Sequence, residues 1–223
     1  MSELSRGASS EEGTEAKAED RMIACICPAH AHPEFVQRTQ ECFKSQQYPM
    51  KRFELLDTSG LTGWHVGAIR NSLIAHNSQP GEIIAHFDYD DWSSPERLLQ
   101  QLMLMELTGR PIVGYYDMAF YDQTRDRVLF YDSNMRNYAL GTSLMYRREI
   151  WEKNPFPDQT PEDTTWQFKI GPRHIASISS IRNGKPMMIQ VYHGANAAAS
   201  VHGAMFEPAS PELDREVRRI LGK

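Results

Sequence analysis

From Met22 to Leu107, short apolar runs take turns with stretches of helical spacing, and this alternation restricts the possible folds more than any other feature of the chain. Met22 to Cys27 (MIACIC), Phe53 to Asp57 (FELLD) and Glu82 to Asp88 (EIIAHFD) read as strands. Runs this uniformly apolar suit strands buried on both faces, which need crossover helices to cover them. Pro33 to Ser45, Gly63 to His76 and a segment running to Leu107 supply those helices. Proline costs little in a first turn, and Ser93 and Ser94 ahead of Pro95 are N-cap signals for the third helix. The expectation is an α/β fold.

Beyond Gly109 the rhythm changes. Ile112 to Tyr121 and Arg127 to Asp132 flank the polar stretch Asp122 to Asp126, the pattern of an antiparallel hairpin. Leu140 to Tyr146 and Met187 to Tyr192 read as further strands, and Arg148 to Lys153, Asp163 to Ile170 and Pro211 to Leu221 as helices. No repeat and no long Pro-rich linker divides the chain, so residues 21–223 are expected to form a single domain whose later part is α+β.

Charge sits mainly at the start. The chain holds 24 Lys and Arg against 29 Asp and Glu, a net charge of -5. Residues 1–20 carry six acids (Glu3, Glu11, Glu12, Glu15, Glu19, Asp20) against Arg6 and Lys17, with no periodic apolar residues. Such a segment buries too little surface to offset its ordering entropy, and it reads as a disordered acidic tail. With the rest near neutral, no global positive field gathers phosphate backbones, which disfavours nucleic acid as a partner. Cys25, Cys27 and Cys42 are an odd set, better suited to reduced thiols than to a disulfide framework. There is no secretory signal pattern and no apolar run of about 18 residues, so no transmembrane segment is expected and the location is expected to be cytoplasmic.

The string His86-Phe87-Asp88-Tyr89-Asp90-Asp91-Trp92 crowds three carboxylates at the end of an apolar strand. In an extended backbone, Asp88 and Asp90 lie on one face. Crevices at the carboxyl ends of strands hold ligands in open α/β sheets. Oxygen ligands there suit Mg²⁺ or Mn²⁺ completed by substrate phosphates, which implies a di- or triphosphate ligand. The bland alternative is that Asp90 or Asp91 only supports the next helix N-terminus.

Three strings, MIACICPAHAHPEF, FELLDTSG and GAIRNSLIAHNSQPGEIIAHFDYDDW, resemble the nucleotide-binding half of family 2 glycosyltransferases, which have the GT-A fold. The resemblance implies a Rossmann-like mixed central sheet flanked by helices. It makes 21–109 the nucleotide-binding half and 110–223 a compact α+β acceptor half. It also implies a nucleotide-sugar donor, with UDP expected, and a metal cofactor, Mn²⁺ or Mg²⁺. By the same resemblance Asp88 faces the ribose and Asp90 the metal, while Pro28, Asp57 and Arg70 belong to the nucleotide site. The string Asp57-Thr58-Ser59-Gly60 departs from the family's usual pair of acids before Gly-Ser.

Thr160-Pro161-Glu162-Asp163 resembles the family's Glu-Asp signature, which implies Asp163 as catalytic base and Glu162 as a residue of the acceptor pocket. Thr160 with an acid three residues on reads equally as a capping box. Val191-Tyr192-His193-Gly194 resembles the late His of GT-A enzymes, implying His193 as a second metal ligand. Trp64, Trp92 and Trp166 lie near these elements, with Trp166 expected to stack on the sugar. His30 and His32 read as solvated imidazoles, Met103 and Met105 as packing residues of the third helix, and the pairs Arg147-Arg148 and Arg218-Arg219 as solvated helix faces. The function expected is transfer of one sugar, with inversion, to an acceptor hydroxyl on a glycan, a protein or another molecule. A nucleotidyltransferase acting on a sugar phosphate and a non-catalytic nucleotide-sugar binding module are the alternatives. Gly-x-Gly-x-x-Gly and P-loop strings are absent from the sequence.

Overall fold

The computed structural model describes residues 21–30, 33–194, 196 and 205–223; the acidic segment 1–20, His32 and His202 lie outside them. The strands in chain order are β1 (Ile23–Ala29), β2 (Lys51–Asp57), β3 (Ile83–His86), β4 (Trp92–Ser93), β5 (Ile112–Tyr115), β6 (Asp117–Asp122), β7 (Arg127–Asp132), β8 (Met145–Arg147), β9 (Ile175–Ile178), β10 (Ile181–Arg182), β11 (Lys185–Pro186), β12 (Met188–Tyr192) and β13 (Phe206–Pro208). The helices are α1 (Pro33–Ser45), α2 (Val66–Asn77), α3 (Arg97–Thr108), α4 (Arg148–Lys153), α5 (Glu162–Ile170) and α6 (Pro211–Leu221).

A six-stranded sheet in the order β2-β1-β3-β8-β5-β9 forms the centre. β1 pairs in parallel with β2 and β3, whereas β8 runs antiparallel to both β3 and β5, so the sheet is mixed. Alternate side chains go to opposite faces. Ala24 and Ile26 on β1 and Ile84 on β3 meet α2, α4 and α5 through Ile69, Leu73, Trp151 and Trp166. Ile23, Cys25 and Cys27 meet α1 and α3 through Val36, Phe43, Leu98, Leu102 and Met105. Burial on both faces explains why these strands are apolar at nearly every position, and each fully buried Ile contributes roughly 1.5–3 kcal/mol of transfer free energy.

A second sheet, β13-β7-β6-β12-β4, stands beside the first. Its β6 and β7 form the expected antiparallel hairpin across Asp122 to Arg127. α6 covers one face through Leu213 and Val217. This helix has its expected limits because Ser210 Oγ accepts from Leu213 N, Pro211 occupies the first turn and Gly222 takes the left-handed cap conformation. Among the described residues no helix is long and apolar enough to cross a membrane.

Four local expectations are corrected. The run Ile112 to Tyr121 is two strands in different sheets, parting at Tyr116, because a continuous apolar run carries no record of which sheet it joins. Leu140 to Tyr146 begins as a 3-10 turn, Gly141–Ser143, and only Met145–Arg147 is strand. The turn is held by Ser143 Oγ, which donates to Leu140 O and accepts from Tyr115 N. Ser93 does not cap α3; it pairs with Met188 in β12, and the first turn of the helix is satisfied instead by Gln46, whose Oε1 accepts from Leu98 N at 3.1 Å. Met105 packs in the core, but Met103 is largely exposed, one helical step off the buried face.

Candidate active site

β1 and β2 finish together, and β3 ends three residues lower, so that the segment after it continues towards the same sheet end. Ala29 lies opposite Asp57 and Pro28 opposite Leu56, and Ile26 lies opposite His86, two residues before Asp88. Thr58 ties the first two ends together, donating from its N and Oγ1 to Ala29 O at 2.7 and 2.8 Å. Asp57 is exposed and accepts from Ser59 N at 2.9 Å; that amide holds its carboxyl below the ordinary range. Pro28 and Asp57 thus lie at the same sheet end from which the Asp88–Asp91 loop leaves β3.

That loop is clamped from outside by α1, a feature that sequence reading missed. Arg38 donates to Asp90 O, and Thr39 Oγ1 donates to Tyr89 O at 2.6 Å. A side chain reaching to a loop some 50 residues away leaves no periodic signal.

The three acids of the loop divide. Asp91 is buried and turned inward, accepting from Thr142 Oγ1 and from Val191 N at 3.3 Å, so it serves the junction of the two sheets. Asp88 is partly exposed and accepts from Arg70 Nη2 at 2.9 and 3.3 Å. Asp90 is 7% exposed and meets His193 Nε2 at 3.2 Å through Oδ2, which also accepts from Asn196 Nδ2 at 2.7 Å. Burial and the neighbouring Asp88 charge push the Asp90 carboxyl up to about 7. Asn196, also missed, fastens the turn after β12 by donating to Val191 O and accepting from His193 N. The His193 ring packs on Phe35 of α1, with 4.8 Å between centroids.

On the opposite side, Arg70 of α2 is engaged through both terminal nitrogens, while its buried Nε meets no hydrogen-bond partner among the described residues. Its Nη1 donates to Glu162 and its Nη2 to Asp88, which joins α2, the acid loop and the start of α5. Burial opposes the charge on Arg70, but Asp88, Glu162 and Asp163 hold its pKa above the ordinary value. Glu162 sits in the reverse balance: burial raises its pKa, and Arg70 only partly offsets that. One guanidinium faces three carboxylates, so negative charge is left in excess. Arg70 thus binds protein carboxylates on both sides, and Glu162 is its buried ion-pair partner.

Asp163 does not close a capping box. The N-cap position of α5 is Pro161, with no side-chain cap, and Asp163 Oδ1 instead accepts from Thr164 N at 2.7 Å. Its carboxylate rests against Gly141 in the 3-10 turn, where an added Cβ would overlap Oδ2 and stand 2.6 Å from Cγ. Trp166 is not a stacking surface. It is 0% exposed, packed on Phe156 and Tyr146 at centroid distances of 4.6 and 4.9 Å, and its indole N–H donates to Asn154 O. Three residues after Asp163 on a helix, it points into the core. Of the tryptophans considered, Trp64 is the one with an open ring, at 52% exposure.

The paired arginines are committed elsewhere, Arg147 to Glu106, Arg148 to Ser78 and Glu152, Arg218 to Asp126 and Asp214, and Arg219 to Glu216. Arg148 is buried rather than solvated. Among the described residues no cluster of three or more His, Cys, Asp or Glu is placed to hold a metal. The candidate ligands are the pair Asp90 and His193.

No protein-family model matches the chain, and no curated protein matches it. Solved structures do. S. aureus TarS 1–349 in complex with UDP-GlcNAc is similar over 82% of this chain and 62% of that one, with a TM-score of 0.63 and 13% identity. S. aureus TarS is similar over 77% and 37%, with a TM-score of 0.57 and 14% identity. The complex of TarS 1–349 with UDP is similar over 77% and 60%, with a TM-score of 0.55 and 13% identity. The chain therefore spans between 37% and 62% of the length of these structures. At such low identity the likeness concerns the fold, and on that ground the chain has the mixed α/β architecture of the GT-A glycosyltransferases.

Proposed function

We propose that this protein is a metal-dependent glycosyltransferase of the family 2 type, moving one sugar from a nucleoside-diphosphate sugar, with UDP as the nucleotide, to an acceptor hydroxyl. The observation that carries the reading is the Asp90–His193 contact at the carboxyl end of a parallel strand set, beside the carboxylates gathered on Arg70. The donor set fits a divalent cation. A buried carboxylate whose ionisation is disfavoured stands next to an imidazole, and cations of this class take one or two protein ligands plus substrate phosphates. Asp90 and His193 would hold Mn²⁺ or Mg²⁺, which would neutralise charge growing on the departing diphosphate.

The protein's own groups do the rest. Asp88 and the strand ends at Pro28 and Asp57 line the donor's side. Asp163, fixed by Thr164 N and Gly141, accepts the acceptor's hydroxyl proton as that oxygen bonds the anomeric carbon and the carbon–phosphate-oxygen bond breaks. Displacement from the opposite face inverts the anomeric centre. The acceptor is a hydroxyl-bearing glycan or protein, and nucleic acid is the least favoured partner. A cytoplasmic location is part of the same reading, supported by three free, buried cysteines.

Thermal unfolding with UDP and UDP-GlcNAc, each with and without Mn²⁺, tests the proposal. Ligand at about 100 times its Kd stabilises by roughly 2.7 kcal/mol. The midpoint should rise with nucleotide plus Mn²⁺ and little with either alone, and Asp90→Asn should abolish the synergy. Absence of any nucleotide shift, or an equal shift in Asp90→Asn, would overturn it. Asp163→Asn should keep the shift and lose transfer.

A further inference from the structure

We propose that Gly141 is a positioning residue whose missing side chain leaves the space in which the Asp163 carboxylate sits. This rests on the reading of Asp163 as the base. Gly141 is not among the glycines with positive φ, so its backbone does not itself demand glycine. The demand is for space: a methyl group would overlap Asp163 Oδ2 and lie 2.6 Å from Cγ and 3.0 Å from Cβ. The other carboxylate oxygen, Oδ1, is held by Thr164 N at 2.7 Å. One oxygen is thus hydrogen-bonded and the other lies against a bare α-carbon, and together these contacts orient the carboxylate.

The turn is too well anchored to give way. Nδ1 of His86 must carry its proton, because a carbonyl only accepts, and it donates to Gly141 O at 2.7 Å. Its Nε2 then accepts from Tyr146 Oη at 3.2 Å. Arg97, 0% exposed, donates to Thr142 O at 3.1 Å and to His86 O at 2.7 Å, and Gln101 Nε2 donates to Ser143 O at 2.6 Å. Thr142 Oγ1 donates to Asp91, so the same turn touches the acid loop on one side and the base on the other. Against this buried network, an added methyl moves the carboxylate and not the turn. Displacing a reacting group by about 1 Å can cost 10²-fold in rate.

The test is a four-protein cycle: wild type, Gly141→Ala, Asp163→Ala and the double variant, each followed by thermal unfolding and by release of UDP from UDP-GlcNAc with Mn²⁺. Gly141→Ala should lower the midpoint in the wild type and leave it unchanged or raised in Asp163→Ala, where the opposing carboxylate is gone. The midpoint shift given by UDP with Mn²⁺ should be unaltered, while kcat for UDP release falls about 100-fold at constant KM. In the Asp163→Ala background the same change should have no further effect on kcat. An equal loss of midpoint in both backgrounds would overturn the assignment, as would unchanged kcat in Gly141→Ala. Full UDP release by Asp163→Ala would instead remove the base reading and leave the midpoint cycle to decide the steric one.

Discussion

Arg70 offers the sharpest test of how the site is held. Arg70 is 4% exposed, and its guanidinium joins two carboxylates that come from different elements, Asp88 after β3 and Glu162 at the start of α5. At an effective dielectric near 20, each pair at about 4 Å between charge centres is worth roughly 4 kcal/mol of gross attraction, most of it cancelled by desolvation. Removing the cation alone leaves the desolvation uncompensated. Glu162, whose side chain is 9% exposed, bears most of that cost, whereas Asp88 at 25% can recover water. Arg70→Met should therefore lose about 3–5 kcal/mol. For a chain of this size that is a fall in midpoint of about 6–20 °C. Adding Glu162→Met should restore much of the loss, since a buried pair replaced by apolar groups is often neutral. Arg70→Lys should fall between, because an ammonium cannot bridge two carboxylates in a fixed fork.

The deficit also has a pH signature. Burial raises the Glu162 pKa, and removing Arg70 raises it further. A carboxyl raised in the folded state favours folding below its unfolded value, near 4.3, and that advantage is lost as pH rises through the folded value. Arg70→Met should be most deficient at pH 8 and nearly equal to wild type at pH 5. Chemical denaturation of the four proteins at the two pH values measures all of this. A change under about 0.5 kcal/mol in Arg70→Met, or no rescue by Glu162→Met, would refute the bridge as the element that joins α2 to α5.

Two further outcomes follow from the packing. Trp166→Ala should cost about 3–5 kcal/mol by opening a cavity beside Phe156 and Tyr146, with Kd for nucleotide unchanged in the surviving folded fraction; a selective loss of donor affinity would contradict its core placement. Asp122, 0% exposed, accepts from Thr124 N, Thr124 Oγ1 and Arg127 Nε; despite burial these bonds lower its pKa. Its contribution is present above the unfolded value near 3.9 and is lost as pH falls through the folded value. Asp122→Asn should therefore be less stable at pH 7 by about 1–3 kcal/mol and converge on wild type in acid, as read by urea midpoints.

Much of the scaffold can be read along the chain because its signals are local. β1 and β3 are apolar at nearly every step since both faces of the sheet are covered, and α1 and α6 show their ends through Pro33, Ser210 and Pro211. The acid string after β3 is local too: three carboxylates within four residues at a strand end announce a charged crevice wherever the rest of the chain goes. The counter-ions and contacts that give those acids different duties are not local. Arg70 meets Glu162 across 92 residues, Asp90 meets His193 across 103, and Asp163 finds its place against Gly141 in a turn that reads in sequence as strand. Periodicity reports which face of an element is apolar, and by that measure Trp166 was as free to face a sugar as to fill the core. Only the packing of α5 onto the central sheet chose the core, because the choice depends on which surfaces are brought together, and no stretch of residues carries that about itself.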